Sequence, residues 1–255
     1  MKPLYLPVLI LFLLTSGCET AIQPPTPQAG RVEISTATPQ PVIITATAPS
    51  SETPDANNAE TVFRDDFNSD LEPGWQWLNE NPAAWNLVQF PGFLQIHAES
   101  GYINLGTAKN VLVRNAPEGD FIVEASLNYS PDDSDQFAGI VLLESTRDYL
   151  QVGLGYCPPV VGCPGPGFYV DIYKNGKFTL PRNSMSFTEN ALVIRVIVQA
   201  GTISVFTSPN GAVWYRSFQG PVDIKVVQVG LFAGQNNEVL TIPAMFDYFE
   251  LKIPK

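Results

Sequence analysis

From about residue 61 to the C-terminus, apolar residues recur at alternate positions in short runs, and turn residues separate the runs. A period of two marks strands with one buried face, and no window holds the 3.6-residue period of a capped helix. The strongest runs are Asp120–Leu127, Phe137–Leu143, Tyr149–Tyr156, Phe168–Tyr173, Ala191–Val198, Thr202–Phe206 and Ile224–Phe232. Asn175-Gly176 and Asn210-Gly211 carry hairpin chemistry, because both residues of a two-residue loop favour positive φ. With roughly a dozen strands and no helices to cover a parallel sheet, the pattern predicts an all-β domain. Its two antiparallel sheets pack face to face.

The N-terminus breaks this alternation. Lys2 precedes a continuous apolar run, Leu4 to Leu14, and small residues then lead to Cys18. A run of about ten apolar residues is too short to cross a bilayer as a helix, so residues 1–17 read as a secretory signal peptide and the chain as exported. Leu14-Thr15-Ser16-Gly17-Cys18 resembles the lipobox of bacterial lipoproteins, with Thr15 where that family prefers Leu. The resemblance implies that the Cys18 thiol takes a diacylglycerol. The domain would then be lipid-anchored to the outer face of a bacterial cell membrane or to the outer membrane. An ordinary cleaved signal with a cysteine at its boundary is the other reading. Residues 18–60 are rich in Pro, Thr and Ser and nearly free of aromatics, a composition that cannot bury enough apolar surface to offset ordering entropy. They read as a disordered linker, semi-extended at about 3 Å per residue, that holds the domain of residues 61–255 away from the membrane.

The formal charge of -11 and pI near 4.4 argue against nucleic acid or anionic lipid as a partner, since both call for basic patches. Membrane attachment falls to the lipid. Of three cysteines, Cys157 and Cys163 remain once Cys18 is set aside, and they flank a Pro/Gly-rich loop. Outside the cytoplasm such a pair reads as a local disulfide. A metal pair is the rival reading, with His97, the one histidine, remote in sequence.

Four segments carry a second resemblance. FRDDFNSDLEPGWQW with Pro91-Gly-Phe-Leu-Gln-Ile96, then AGIVLLESTRDYLQVGLGY, TSPNGAVWYRS and MFDYFELKI occur in the order found in concanavalin A-like lectin/glucanase sandwiches. The likeness is closest to the noncatalytic sandwich module associated with family 43 glycosidases, and it spans residues 62 to 253. It implies a jelly-roll sandwich and a structural Ca2+ held by Asp66, the Gly92 carbonyl and Asp247, with Asp65 as the alternative to Asp66. Hard oxygen ligands of this kind suit calcium. No organic cofactor is implied.

Glucanase members of that superfamily place two glutamates and an aspartate at alternate positions of one strand, which brings acid and nucleophile about 5 Å apart. This chain has no such run. Glu124, Glu144 and Asp171 stand alone on different strands and read as solvated face residues, His97 as an exposed strand residue, and no catalytic residue is assigned. Strand parity separates the aromatics: Tyr149 and Gln151 lie opposite Leu150, Val152 and Leu154, while Tyr169, Asp171 and Tyr173 lie opposite Phe168, Val170 and Ile172. With Arg195 from the Ala191 strand and Trp214 after a turn, these residues form the candidate ligand-binding set. Open phenol rings, an amide, a carboxylate and a guanidinium on one face match the two sides of a sugar ring. Trp75, Trp77 and Trp85 read as core or edge packing. The reading that results is a noncatalytic, surface-anchored lipoprotein whose sandwich binds glycan or polysaccharide. The alternatives are a structural or adhesive envelope protein that uses the sandwich for protein contact, and, behind both, a glycoside hydrolase.

Overall fold

The computed structural model describes residues 58–159, 163–179, 183–236 and 242–255; the expected signal peptide, Cys18 and the linker to residue 57 lie outside the described residues. The strands, in chain order, begin with β1 (Glu60–Asp65), β2 (Gln76–Leu78), β3 (Trp85–Asn86), β4 (Leu94–His97), β5 (Glu99–Ser100) and β6 (Val111–Asn115). They continue with β7 (Phe121–Asn128), β8 (Phe137–Leu143), β9 (Tyr149–Cys157), β10 (Gly165–Lys174), β11 (Lys177–Phe178) and β12 (Asn183–Ser186). The last are β13 (Ala191–Gln199), β14 (Thr202–Ser208), β15 (Tyr215–Pro221), β16 (Gln228–Gln235) and β17 (Pro243–Ile253).

They form two sheets, as the alternation predicts. The first runs β15-β14-β13-β7-β17-β4-β3, with β1 also on β17; the second runs β11-β10-β9-β8-β16-β6-β2, with β12 on β10 and β5 on β16. All pairings are antiparallel except β5 with β16. The core lies between the sheets and takes the aliphatic parity of each strand: Leu150, Val152 and Leu154 from β9 meet Leu192, Ile194 and Val196 from β13. Each such side chain stabilises the fold by about 1.5–3 kcal/mol on burial, which fixes the register, since a one-residue slip would turn the whole set to water. Trp75 and Trp85 pack at the margin of this core, and Trp77 lies 4.9 Å from Trp85, centroid to centroid. The Cys157–Cys163 disulfide is formed, with its Cα atoms 5.5 Å apart, and closes the end of the β9–β10 pair.

The turns depart from expectation in an instructive way. Asn175-Gly176 joins β10 to β11 with φ of 54° and 73°, the two positive values that a two-residue loop requires. At Asn210-Gly211 only the glycine has positive φ, 75°, and residues 209–214 separate β14 from β15, so this is a longer loop, pinned by Gly211 N donating to Ser208 Oγ at 2.8 Å. The second tight hairpin is instead Ala200-Gly201, with φ of 47° and 77°, where Gln199 pairs with Thr202. Alanine gives no sequence signal for that geometry. The Ile224 run also starts late, since β16 begins only at Gln228. Upstream of it, Lys225 N donates to Glu144 and Val227 N to the Leu143 carbonyl.

Ala200 adopts a left-handed conformation that costs an ordinary L-residue about 1–2 kcal/mol. Ala200→Asn should recover about 1 kcal/mol and raise the melting temperature by about 2–4 °C in a circular dichroism scan. A lower melting temperature would mean that the turn is not strained.

Candidate ligand pocket

Every strand of the second sheet has a face turned away from the core, and glycine dominates its centre. Across β16, β8, β9 and β10 one row reads Phe232, Gly139, Gly153, Tyr169, and the next reads Gly234, Phe137, Gly155, Gly167. The chain needs glycine here: a Cβ on Gly139 would stand 2.0 Å from the Val152 carbonyl oxygen, and one on Gly153 would stand 1.9 Å from that of Ala138. The strands therefore approach with bare backbone at mid-face, and the rings of Phe137, Tyr169 and Phe232 rise around it. Towards the strand ends Gly155 and Gly234, with Gly101–Ile103 and Asp135-Gln136, line a partly open hollow of ≈ 60 Å³. Asn104 Nδ2 ties the covering segment to the β10–β11 turn through the Gly176 carbonyl, 3.2 Å away.

Five of the expected ligand-binding residues, Tyr149, Gln151, Tyr169, Asp171 and Tyr173, line this one cavity. Their environment differs from the open phenolic face expected of them. Tyr149 and Tyr169 are each 2% exposed and join a second apolar cluster with Ile103, Val141 and Leu143. Tyr149 and Tyr173 stack on each other, centroids 4.5 Å apart and planes within 6°, so one face of each ring is taken by the other. The Tyr169 hydroxyl donates to the Gly165 carbonyl. Burial pushes the Tyr149 hydroxyl well above the usual phenol range, and Tyr173 and Asp171 add to the shift, so it stays protonated at all ordinary pH. The tyrosines build the walls. The polar floor is Gln151, whose Nε2 donates to Asp171 Oδ2 at 3.2 Å; Asp171 is buried rather than solvated.

Two lining residues were missed by sequence reading and carry the strongest chemical signal in the cavity. The β8–β16 ladder pairs Phe137 with Gly234, so Gln136 and Gln235 follow side by side at its end. Each is 1% exposed, yet Gln136 Nε2 and both amide atoms of Gln235 have no hydrogen-bond partner. Gln136 Oε1 is used, accepting from the amides of Asp132 and Asp133 at 2.6 and 3.0 Å. A buried amide left unpaired costs about 1–3 kcal/mol, so a pocket that keeps three such atoms holds unspent hydrogen-bonding capacity.

Arg195 and Trp214 do not belong to the pocket, which corrects the expected set. β13 is in the first sheet, where the outer-face row runs Arg195, Glu124, Glu250, Arg64 across β13, β7, β17 and β1. Arg195 Nε and Nη2 each bond Glu124 Oε2 at 2.7 Å, and the Trp214 ring lies 3.7 Å from the guanidinium. Tyr248 donates to Glu124 Oε1 at 2.6 Å, and Arg64 lies over the Tyr248 ring. Glu124 is thus buried and fully partnered rather than solvated. Two facing glutamates would be a catalytic geometry only if one could hold a proton, and here burial of Glu250 is outweighed by Lys252, Thr61 and Arg64, which keep its pKa low.

The residues expected to hold calcium gather around one irregularity of β17. β1 reaches β17 at Asp65–Phe249 and β4 reaches it at Leu94–Phe246, and the ladder with β7 slips at Asp247 between them. Asp66 and Gly92 adjoin those contacts. Asp66 is exposed and accepts two bonds from Arg64, at 2.9 and 2.6 Å, while Asp247 is exposed. Asp65 is committed elsewhere: its carboxylate accepts from Phe67 N, Glu72 N and Trp75 Nε1 at 2.9, 2.9 and 2.8 Å. Among the described residues no three His, Cys, Asp or Glu side chains cluster as a metal site. Two carboxylates with a carbonyl and waters remain a donor set that suits Ca2+.

Comparison with known proteins agrees with this architecture. The family described as Beta xylosidase C-terminal Concanavalin A-like domain matches residues 64–252. Curated proteins gave no match. Among solved structures, the GH43 BlXynB protein from Bacillus licheniformis superposes with a TM-score of 0.67 at 22% identity, over 75% of this chain and 39% of that one. Xylan beta-1,4-xylosidase from Bacillus halodurans C-125 gives 0.63 at 19% identity, over 74% and 39%. A bifunctional GH43-CE protein of Bacteroides eggerthii gives 0.64 at 20%, over 76% and 26%. The chain therefore spans less than two fifths of the length of these three proteins, and the likeness is one of fold.

Proposed function

Since the chain belongs to the Beta xylosidase C-terminal Concanavalin A-like domain family, we propose that it is a noncatalytic carbohydrate-binding module, presented outside the cell on a lipid-anchored tether. The observation that carries the binding part is the three unpartnered amide atoms of two buried glutamines, Gln136 Nε2 and both of Gln235, at the outer-face cavity. Amides that both donate and accept, beside a carboxylate and neutral phenols, suit a ligand dense in hydroxyl groups. One structural relative is a xylan beta-1,4-xylosidase, which supports a glycan as that ligand.

Two features support a role without chemistry. The cavity is lined by the carboxylates of Asp171, engaged by Gln151, and Asp135, exposed and receiving Asn236 Nδ2 at 3.3 Å. The paired glutamates of the first sheet are locked in ion pairs and do not line this cavity. Glycoside hydrolysis needs an acid and a base or nucleophile at a set spacing across a bound sugar, and neither place supplies them.

Gln235→Leu separates function from stability. Removing an unpaired buried amide should leave the melting temperature unchanged or higher, by about 1 kcal/mol of stability, while retardation in affinity gels containing neutral polysaccharide falls about tenfold or more. Trp214→Ala should retain full retardation. Undiminished binding in Gln235→Leu would remove the cavity from the account.

The calcium part of the reading assigns Asp66, the Gly92 carbonyl and Asp247 as ligands, with the ion tying β1 and β4 to the β17 irregularity. Ca2+ should raise the melting temperature of chelator-treated protein, and Asp247→Asn should abolish the rise. Identical melting with and without chelator would reject it.

The anchor part rests on the Leu14–Cys18 run. Cells fed a tagged fatty acid should label the full chain and not Cys18→Ala, which should appear in the medium. Label retained by Cys18→Ala would refute the assignment.

A further inference from the structure

The tyrosines that line the cavity fall into two groups. Tyr149 and Tyr169 are buried, and Tyr173 is stacked on Tyr149 and meets the edge of Phe178 at 5.5 Å, so these rings are spent largely on one another and on the sheet. Tyr102 and Tyr156, which also line the cavity, are only half-buried. Among the described residues neither of them makes a ring–ring contact, and neither hydroxyl has a hydrogen-bond partner. They are the phenols a ligand can reach.

The sheet sets these two rings on either side of the unpaired amides. Strands β9, β8, β16 and β5 lie side by side, and their ends carry Tyr156, Gln136, Gln235 and Ser100 in turn: Tyr156 N donates to the Gln136 carbonyl at 2.8 Å, Gln136 stands beside Gln235, and Gln235 pairs with Ser100. Neighbouring strands are about 4.8 Å apart, so this row is about 14 Å long. Tyr102 follows two residues after Ser100, beyond Gly101, whose N donates to the Gln235 carbonyl at 3.2 Å. Its backbone is tied down, with the Tyr102 carbonyl accepting from Leu105, Thr107 and Ala108 N at 3.3, 3.1 and 3.2 Å and Tyr102 N donating to Thr107 Oγ1 at 3.0 Å. A backbone fixed in advance lowers the ordering cost of a contact made from it. Burial and the Asp135 carboxylate both raise the Tyr102 phenol above its ordinary range, in keeping with a hydroxyl on the cavity side, where Asp135 also lines the space.

A sugar ring offers C–H groups on its faces and hydroxyls along its edge. Phenol rings suit the faces, and amides that donate and accept suit the edge. Resting on the carbohydrate reading above, we propose that Tyr102 and Tyr156 are the aromatic contacts of this site, with sugar faces packed on these two rings and hydroxyls reaching the Gln136 and Gln235 amides between them. The tyrosines on the parity face of β9 and β10 then shape the walls, and the ligand meets two others.

The test is isothermal titration of the full chain in detergent with xylohexaose and with cellohexaose, comparing the unaltered protein with Tyr102→Ala, Tyr156→Ala, Tyr102→Phe and Tyr215→Ala. Each of the first two should weaken binding about tenfold, the size of one lost aromatic contact, while Tyr102→Phe keeps its ring and stays within about threefold. Tyr215, exposed on β15 of the other sheet and outside the cavity, should be replaceable by alanine without effect. Independently of any variant, C–H protons of the sugar bound to unaltered protein should show nuclear Overhauser contacts to the Tyr102 and Tyr156 ring protons. Undiminished affinity in either Tyr102→Ala or Tyr156→Ala, or contacts to other rings only, would overturn the assignment and leave carbohydrate binding standing. No heat from the unaltered protein with either oligosaccharide would overturn the carbohydrate reading along with this one.

Discussion

A strand cannot bury one face without presenting the other, and this domain is organised by how each sheet disposes of its outward side. The inner faces solve a common problem with aliphatic residues of one parity. The outer faces diverge. The second sheet carries tyrosine, phenylalanine and glycine there, and β8 and β9 approach so closely at Gly139 and Gly153 that neither position admits a Cβ. The cavity lies towards the strand ends, where Gly155 and Gly234 sit among Phe137, Tyr169 and Phe232.

The first sheet meets the same problem with charge. Its outer row sets Glu124 and Glu250 side by side between Arg195 and Arg64, and the aromatic rings of Trp214 and Tyr248 lie against the two guanidinium groups. Each carboxylate in that row is saturated, and each arginine is stacked. A surface so fully partnered has little left to offer a ligand, whereas the cavity on the other sheet retains amide groups with nothing to bind. The two outer faces thus differ: the described charges of one are taken up by its own ion pairs, while the other keeps unpaired amide atoms beside a cavity.

Alternation made much of this legible. Strand β8 coincides with its expected run, and the parity of Tyr149, Gln151, Tyr169, Asp171 and Tyr173 placed all five on one face, where they line one cavity. Their burial was not legible, because it depends on a segment, Gly101 to Ala108, that has no strand period and folds over the sheet from a distant part of the chain. Arg195 was misplaced for a related reason: periodicity says which side of a strand a residue occupies, and says nothing about which of two sheets the strand joins. Gln136 lies one residue before the Phe137 run and Gln235 three residues beyond the Ile224–Phe232 run, both at strand ends. Of the glycines that share the tyrosines' parity on β9 and β10, Gly155 lines the cavity.

The account therefore stands on the two glutamine amides, and side-chain NH2 resonances report on them directly. With 15N-labelled protein titrated with neutral oligosaccharide, the Gln136 and Gln235 side-chain signals should shift together and saturate, while the Trp214 indole signal on the opposite sheet stays in place. Saturable shifts confined to Trp214 and its neighbours, with both glutamine amides unmoved, would contradict it.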